Sequence, residues 1–462
     1  MTNSSQKNTT ASANYDIAIV GDWHLAFVTA SVLADVGHKV ALVKPLNLNA
    51  KTWAEFPPLP VMEPGLQDMI DKNRKEGRLH FENGVTATWQ ADLVWMAVDT
   101  PVNDQDEPDV QPLIQILKDL RTTQKNLKGF ITSSQIPIGF CEQIENIIQT
   151  PVAYVPENLR LGKGIETFFR ADRTVIGAST PAFAQVVREH MTKFPTEFVL
   201  CNLVTSEMVK HANNAFLATS ISFANELARI GEAYGVDSHL VAKALKLDKR
   251  IGSGAYVAPG LGFAGGTLPR DLRVLQKIGI EKHIPTKLVN SVLEINEATT
   301  QAIADIVATN LKSKNSKGPV LILGYTYKPD TDTLRRSLSL DLAKELQTRG
   351  YNCVGYDPIM NSKDLTAING LIEHKDNLSD IKIKPEVILL MTTRPLFKDL
   401  NWTAMATQWN QNPVSNQKSG TTTRALVLDT QNHLDQKAVL QAGFNFKKLW
   451  SPLIEAGTEA HT

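Results

Sequence analysis

The chain has 462 residues, 42% of them apolar, and its 48 Lys and Arg are balanced by 48 Asp and Glu. Single cores stop growing near about 250–300 residues, so two or three domains are expected. Zero net charge excludes a bulk attraction to nucleic acid or an anionic membrane, although a few local cations still suffice for a diphosphate.

Residues 1–14 are rich in Ser, Thr and Asn without an apolar stretch, so a disordered tail is expected there and not a signal peptide. YDIAIV (Tyr15–Val20) reads as a buried strand. Gly21 and the helical pattern AFVTASVLADVG follow, and KVALV (Lys39–Val43) reads as a second strand. This is a β-α-β opening and predicts a parallel sheet. DLVWMAV (Asp92–Val98), GFITSS (Gly129–Ser134) and VAYVPE (Val152–Glu157) continue the strand series, with helical stretches between them. Together they predict a doubly wound first domain over 15–200.

Leu203–Tyr234 reads as one long Ala- and Leu-rich helix, ended by Gly235, and a second long helix is expected from about Pro285 to Leu311. They predict a helical middle domain over 201–312. A Gly-rich stretch, Ile251–Gly266, lies between them, and Lys312–Lys317 reads as a linker. A second α/β series then occupies 318–462. It comprises the strand GPVLILGY (Gly318–Tyr325), a helix over Ser337–Gly350, the strand NCVGYDP (Asn352–Pro358), and later strands EVILLMT and ALVLDT. No apolar run is long enough to span a bilayer. The three cysteines, Cys141, Cys201 and Cys353, are odd in number, far apart and without metal-ligand spacing. They suit buried thiols in a reducing compartment, so a cytoplasmic protein without a bound metal is expected.

The order of short motifs carries a resemblance. EPGL (Glu63–Leu66), DTP (Asp99–Pro101), PENLR (Pro156–Arg160) and DRTVIG (Asp172–Gly177) come first. Glu207, Lys210, Asn214 and Asn225-Glu226 follow on the long helix, then RIGSGAYVAPGLGFAGGTLPRD (Arg250–Asp271). GYTYKPDTDTLRRS (Gly324–Ser337), YDP (Tyr356–Pro358) and DTQN (Asp429–Asn432) complete the series. Each piece is weak alone, but the series, covering about residues 15–450, resembles the UDP-glucose/GDP-mannose dehydrogenase family. The resemblance implies two Rossmann-like domains joined by a helical middle domain. It implies NAD on the first domain, a nucleotide sugar between the middle and third domains, and a homodimer through the middle helices. The implied chemistry oxidises a sugar C6 hydroxyl twice, for polysaccharide precursors. Hydride leaves to give an aldehyde, a cysteine thiolate adds, a second hydride leaves, and the thioester is hydrolysed to a carboxylate.

Carried over residue by residue, Lys210 stabilises charge at the C6 oxygen and Asn214 orients it. They stand four apart and so share a helix face; by spacing alone a solvated face is the default reading, and the surrounding motif order reverses it. Glu157 corresponds to the family's glutamate that manages the hydrolytic water, its other reading being a helix cap or surface charge. Asp271 corresponds to the aspartate beside the nucleophile, or N-caps the helix that follows; Arg270 stands where the family has Lys. Arg250, Tyr256, Lys328 and Arg335, with the glycines Gly260, Gly262 and Gly265, resemble the family's nucleotide-sugar contacts.

The sequence departs from the pattern in places. Thr267 stands where the resemblance puts the cysteine nucleophile. The cofactor loop, expected as G-x-G-x-x-G, reads Gly21-Asp22-Trp23-His24-Leu25-Ala26, with Trp23 in the second glycine position and Ala26 in the third. Lys44 ends the second strand where an acidic residue would hold the NAD ribose. A cation there suits the 2′-phosphate of NADP, or marks lost selection for NAD. Gln135 replaces a Thr, and Gln431 replaces the Arg of the Asp-Gly-Arg-Asn segment. Two function classes are left open: an NAD- or NADP-linked oxidoreductase, and a non-redox nucleotide-sugar binder or partner subunit of an active dehydrogenase. No nucleic-acid or membrane partner is expected, and the PGLGF loop looks nearer the UDP-sugar branch.

Overall fold

The computed structural model describes residues 15–45, 59–60, 63–102, 108–123, 127–157, 159–313, 318–329, 334, 337–360, 368, 370–409 and 424–457. The expected tail 1–14 and Arg335 lie outside them. The chain divides between Asn213 and Asn214 into two compact units.

The first unit holds β1 (Tyr15–Val20), α1 (His24–Asp35), β2 (Val40–Lys44), α2 (Leu66–Lys75), β3 (Leu79–Asn83) and β4 (Ala91–Met96). It continues with α3 (Gln111–Thr123), β5 (Gly129–Thr132), α4 (Phe140–Ile148) and β6 (Val152–Tyr154), then α5 (Gly164–Phe169), β7 (Arg173–Ala178), α6 (Pro181–His190) and β8 (Glu197–Cys201). The strands order as β3-β2-β1-β4-β5-β6-β7-β8. All neighbours are parallel except β6 and β7. The first six strands thus repeat the doubly wound order whose ligand crevice opens where the winding reverses, between β1 and β4. Five of the six residues of β1 are buried, as expected of a strand covered on both faces. Val20 is in register with Val43 on one side and Met96 on the other.

Two strands went unread. RTVIGA, overlapping the DRTVIG motif, and EFVLC form β7 and β8, an extension of the sheet past the antiparallel step. The expected strands over Asp92–Val98, Gly129–Ser134 and Val152–Glu157 end earlier, at Met96, Thr132 and Tyr154. The segments that follow β4 and β5 bond one another. Val98 N donates to Ser134 Oγ at 3.0 Å, and Thr100 Oγ1 donates to Gln135 O at 2.6 Å.

Helix α7 (Leu203–Glu232) crosses the division at Asn213. The second unit continues with α8 (Ser238–Leu247), α9 (Leu268–Glu281), α10 (Lys287–Ser313), β9 (Val320–Leu323), α11 (Leu338–Thr348), β10 (Cys353–Tyr356) and β11 (Glu373–His374). It ends with β12 (Val387–Leu390), α12 (Pro395–Lys398), α13 (Trp402–Gln408), β13 (Leu426–Asp429), α14 (Gln436–Gln441) and β14 (Asn445–Lys448). The sheet is parallel throughout, in the order β11-β10-β9-β12-β13-β14. Every residue of β9, β10, β12 and β13 is buried. Full burial of one large aliphatic side chain is worth about 1.5–3 kcal/mol, so these four short strands anchor the unit. They repeat the topology of the first six strands, and here the winding reverses between β9 and β12. The fold class expected from the sequence is therefore the one observed. No helix among the described residues is long and apolar enough to cross a membrane.

Candidate functional site

In the first unit the crevice between β1 and β4 begins at Gly21. A Cβ there would lie 2.5 Å from Ala97 O and 2.7 Å from the Ala26 Cβ, so only glycine lets the turn pass. Ala26, fully buried, takes the third glycine's place in close helix–strand packing. Helix α1 starts at His24 with Trp23 as its N-cap; no side chain caps it and its first turn carries no acid. Open N–H groups of this kind suit a pyrophosphate. The backbone cradle for NAD is therefore present. What departs is the Trp23 indole, half exposed at the cap itself. Lys44 is the last residue of β2, half-buried and paired in register with Asn83.

Glu63, from EPGL, is one of two motif residues whose anchoring role the sequence did not disclose. Its buried carboxylate takes the His24 ring Nε2 at 2.7 Å and accepts from Gly162 N at 2.9 Å and Gly164 N at 2.8 Å. It thereby fastens the first turn of α1 to the turn that opens α5. Glu207 is the other. Fully buried on α7, it accepts from Gly139 N at 2.6 Å and Cys141 N at 2.8 Å and so caps α4. Acidic residues without an adjacent helical start in sequence gave no signal for such long-range caps.

Lys210 is buried and its Nζ donates to the Glu157 backbone oxygen. Glu157 lies just past β6, half-buried, with Oε2 accepting from Leu159 N at 2.5 Å. The structure thus joins these two candidates within the first unit and rules out a solvated face for Lys210.

In the second unit Asn214, also buried, donates through Nδ2 to Asp271 Oδ2. The reading of Asp271 as an N-cap is corrected. Helix α9 already begins at Leu268, so Asp271 sits one turn inside it, fully buried, and its carboxylate is turned to Asn214. The N-cap position belongs to Thr267, which makes no side-chain cap bond and is exposed.

The glycine loop before α9 is tightly held. Asn225 Oδ1 accepts from Gly260 N at 2.8 Å, Trp450 Nε1 donates to Gly260 O at 3.0 Å, and Asn296 pairs with both backbone groups of Phe263. Gly262 has φ +99°, and a Cβ there would meet Asn296 Oδ1 at 2.4 Å. Gly265 lies against the Tyr327 ring. Asn225 Nδ2 is buried without a hydrogen-bond partner among the described residues, a donor left over at this loop.

Beside the loop lies a cavity of about 340 Å³. Its walls are Gly260 and Gly262, the segment Thr326–Pro329 after β9, Thr392 and Thr393 after β12, and Gln431 after β13. Ser337 and Ser339 at the start of α11 also line it. These are carboxyl ends of strands at the reversal of winding, where open α/β sheets bind ligands. A larger hollow of about 720 Å³ lies at the amino ends of β9 and β10 and is lined by none of the candidate catalytic, cofactor or substrate residues. Position in the sheet, not size, selects the smaller one. Lys328 contributes a cation to the wall, 5.9 Å from the Tyr327 ring centroid. Gln431, where the resemblance has Arg, donates through Nε2 to Met391 O at 2.9 Å.

Arg250 and Tyr256 are not brought to this cavity. Arg250 is exposed and forks onto Asp248 at 2.6 and 3.1 Å, and Tyr256 is exposed in the loop. The thiols offer no substitute nucleophile. Burial, and then Glu207, hold Cys141 well above its usual value. Burial raises Cys201 and pushes Cys353 up to about 12. A reactive cysteine needs the opposite shift.

Comparison with known proteins agrees with this layout. Residues 15–194 match the NAD binding domain of the UDP-glucose/GDP-mannose dehydrogenase family, 204–298 its central domain and 321–436 its UDP binding domain. The first match indicates NAD as the cofactor. The UDP-glucose 6-dehydrogenase TuaD of Bacillus subtilis (strain 168) is 28% identical over 96% of this chain and 94% of its own length. The putative UDP-glucose 6-dehydrogenase YtcA of the same organism is 30% identical over 74% of this chain and 81% of its own. A solved UDP-glucose dehydrogenase of the hyperthermophilic archaeon Pyrobaculum islandicum superposes with a TM-score of 0.79. It covers 96% of this chain and 99% of its own at 23% identity, and so speaks to the fold. With all three of its domains matched in order along one chain, this protein belongs to the UDP-glucose/GDP-mannose dehydrogenase family.

Proposed function

We propose that the protein is a nucleotide-sugar 6-dehydrogenase that binds a UDP-sugar in its second unit and does not carry oxidation through to the carboxylate. The observation that supports the first half most strongly is the cavity at the reversal of the second sheet, with its glycine loop and Lys328. A cation, several hydroxyls and close backbone suit a uridine diphosphate. NAD, when bound to the first unit, supplies the hydride acceptor. Lys210 is assigned to the C6 oxygen, where its ammonium stabilises the charge that develops as the hydroxyl loses its proton. Asn214 is assigned to orienting that oxygen, and its bond to Asp271 fixes the amide rotamer. Glu157 is assigned to a water. Thermal unfolding with UDP-sugars and GDP-sugars tests the binding claim. UDP-glucose at ~100 times its dissociation constant should stabilise by about 2.7 kcal/mol, and Lys328→Ala should shrink the shift at the same concentration. Absence of any shift at millimolar sugar nucleotide would overturn the reading.

A second reading, a non-redox sugar-nucleotide binder or partner subunit, draws support from Trp23 at the cofactor cap and Thr267 at the head of α9. Single-turnover formation of NADH from UDP-glucose separates the two.

We also infer a homodimer through the long helices. In the second unit Phe216, Ile230 and Tyr234 lie exposed on and just past α7, with Leu240 and Leu247 on α8. That much apolar surface exceeds what isolated surface hydrophobics explain. Light scattering at micromolar concentration should give twice the chain mass; a monomer there sinks the inference.

A further inference from the structure

Four loops at the carboxyl edge of the second sheet meet at one residue that the sequence did not single out. Arg394, after β12, is buried. Its Nε donates to Asp357 Oδ1 at 3.0 Å and its Nη2 to Asp357 Oδ2 at 3.0 Å, a fork on the carboxylate after β10. The same Nη2 donates to Thr326 Oγ1, after β9. From β13's side, the His433 ring Nε2 bonds Arg394 O at 3.0 Å. Asp357 in turn accepts from Tyr325 N at 2.9 Å and Thr326 N at 3.3 Å.

Thr326 therefore receives Arg394 on its hydroxyl and offers its N–H to Asp357. Its carbonyl accepts from Thr392 Oγ1 at 2.7 Å, and its own hydroxyl donates to Lys328 O at 3.2 Å. The chain reaches this point through Gly324, φ +71°, where a Cβ would lie 2.3 Å from Thr392 O. The loop after β9 is thus pressed onto the loop after β12 and locked there by a buried ion pair. Its next residues, Tyr327 and Lys328, form the cavity wall.

We propose that Arg394, through Asp357 and Thr326, is a positioning residue that sets Lys328 for a nucleoside diphosphate; this rests on the cavity being the UDP-sugar site. A planar guanidinium is suited to the task because its fork fixes both partners in one plane, which a lysine cannot do. A buried pair whose members are each hydrogen-bonded elsewhere acts as a register device for the loops it joins.

Calorimetric titration of the full chain with UDP tests this. Arg394→Lys should keep the charge yet raise the UDP dissociation constant roughly tenfold, the scale of coupling between contacting groups. Arg394→Met alone strands a buried carboxylate and invites misfolding, so Arg394→Met is paired with Asp357→Asn, which removes both charges and keeps the fold. Both variants are repeated with Lys328→Ala. If Arg394 acts by aiming Lys328, its substitution costs little further affinity once Lys328 is gone. Folded variants that bind UDP as the unchanged chain does overturn the proposal, and so does a loss that simply adds to that of Lys328→Ala. An unchanged chain that binds no UDP overturns the site assignment and the proposal with it.

Discussion

UDP-glucose and NAD incubated with the unchanged protein should give no UDP-glucuronate at a rate typical of enzymes, which is about 1–1000 per second. The family's second oxidation, as the resemblance implies it, needs a group that adds to the aldehyde carbon, lets a second hydride leave, and then departs to water. Thr267 stands at that place in the sequence. A thiol is a few per cent ionised at neutral pH, whereas a threonine hydroxyl needs a strong base beside it. Thr267 is the exposed N-cap of α9 and makes no side-chain cap bond, and no base is hydrogen-bonded to its hydroxyl among the described residues. Its branched Cβ narrows the rotamers that reach outward, and an ester leaves more slowly than a thioester. The three thiols elsewhere are all shifted upward, away from the thiolate. NADH absorbance together with mass spectrometry of the sugar products decides the matter. Uronate formed at an ordinary rate would show that another nucleophile, or hydration of the aldehyde, serves here.

Much of this was legible in the chain because parallel strands buried on both faces are near-continuous apolar runs. YDIAIV, GPVLILGY and EVILLMT each contain the strand that formed. β7 and β8 were hidden by their composition. EFVLC is a short run behind an acid and mostly exposed rather than buried on both faces, and RTVIGA begins with a charge. Motif order singled out Gly260, Gly262 and Gly265, which lie in a single unbroken loop; Gly260 and Gly262 line the cavity and Gly265 packs against the Tyr327 ring. It did not disclose that Arg250 pairs with Asp248, two residues away, because a cation in a motif says nothing of a competing partner. Arg394 carried no motif signal, and Glu63 and Glu207, though part of the motif series, gave no sign of what they hold, for the same physical reason. Their partners are backbone groups or side chains tens of residues distant, and no spacing rule encodes those.

Replacing Trp23 by Gly should tighten NAD binding by at least ~100-fold, starting from an affinity well short of the low-micromolar range. Two effects oppose each other at the head of α1. The uncapped N–H groups and the absence of an acid in the first turn favour an anion there. Against this, the N-cap residue, next to which the pyrophosphate must approach backbone, carries the bulk of an indole where the resemblance has glycine, and Asp22 adds a negative charge beside it. Two charge-assisted hydrogen bonds of about 1.5–3 kcal/mol each are at stake, which corresponds to roughly two to four powers of ten in affinity. The helix-end field contributes about 0.3–1 kcal/mol, so obstruction outweighs attraction. The substitution is a clean probe of bulk, because Trp23 has φ −121° and ψ 178°, extended backbone that any residue adopts. Calorimetry of NAD and NADP against the unchanged chain, Trp23→Gly and Lys44→Asp separates the contributions. NADP binding that Lys44→Asp abolishes would make Lys44 a 2′-phosphate ligand. Uronate formation should recover only when Trp23→Gly, Lys44→Asp and Thr267→Cys are combined, since Thr267→Cys alone restores a nucleophile to a protein that still holds its cofactor weakly. A low-micromolar NAD dissociation constant in the unchanged chain, or none of the expected gain in Trp23→Gly, would show that the indole swings clear and that the cofactor site is intact.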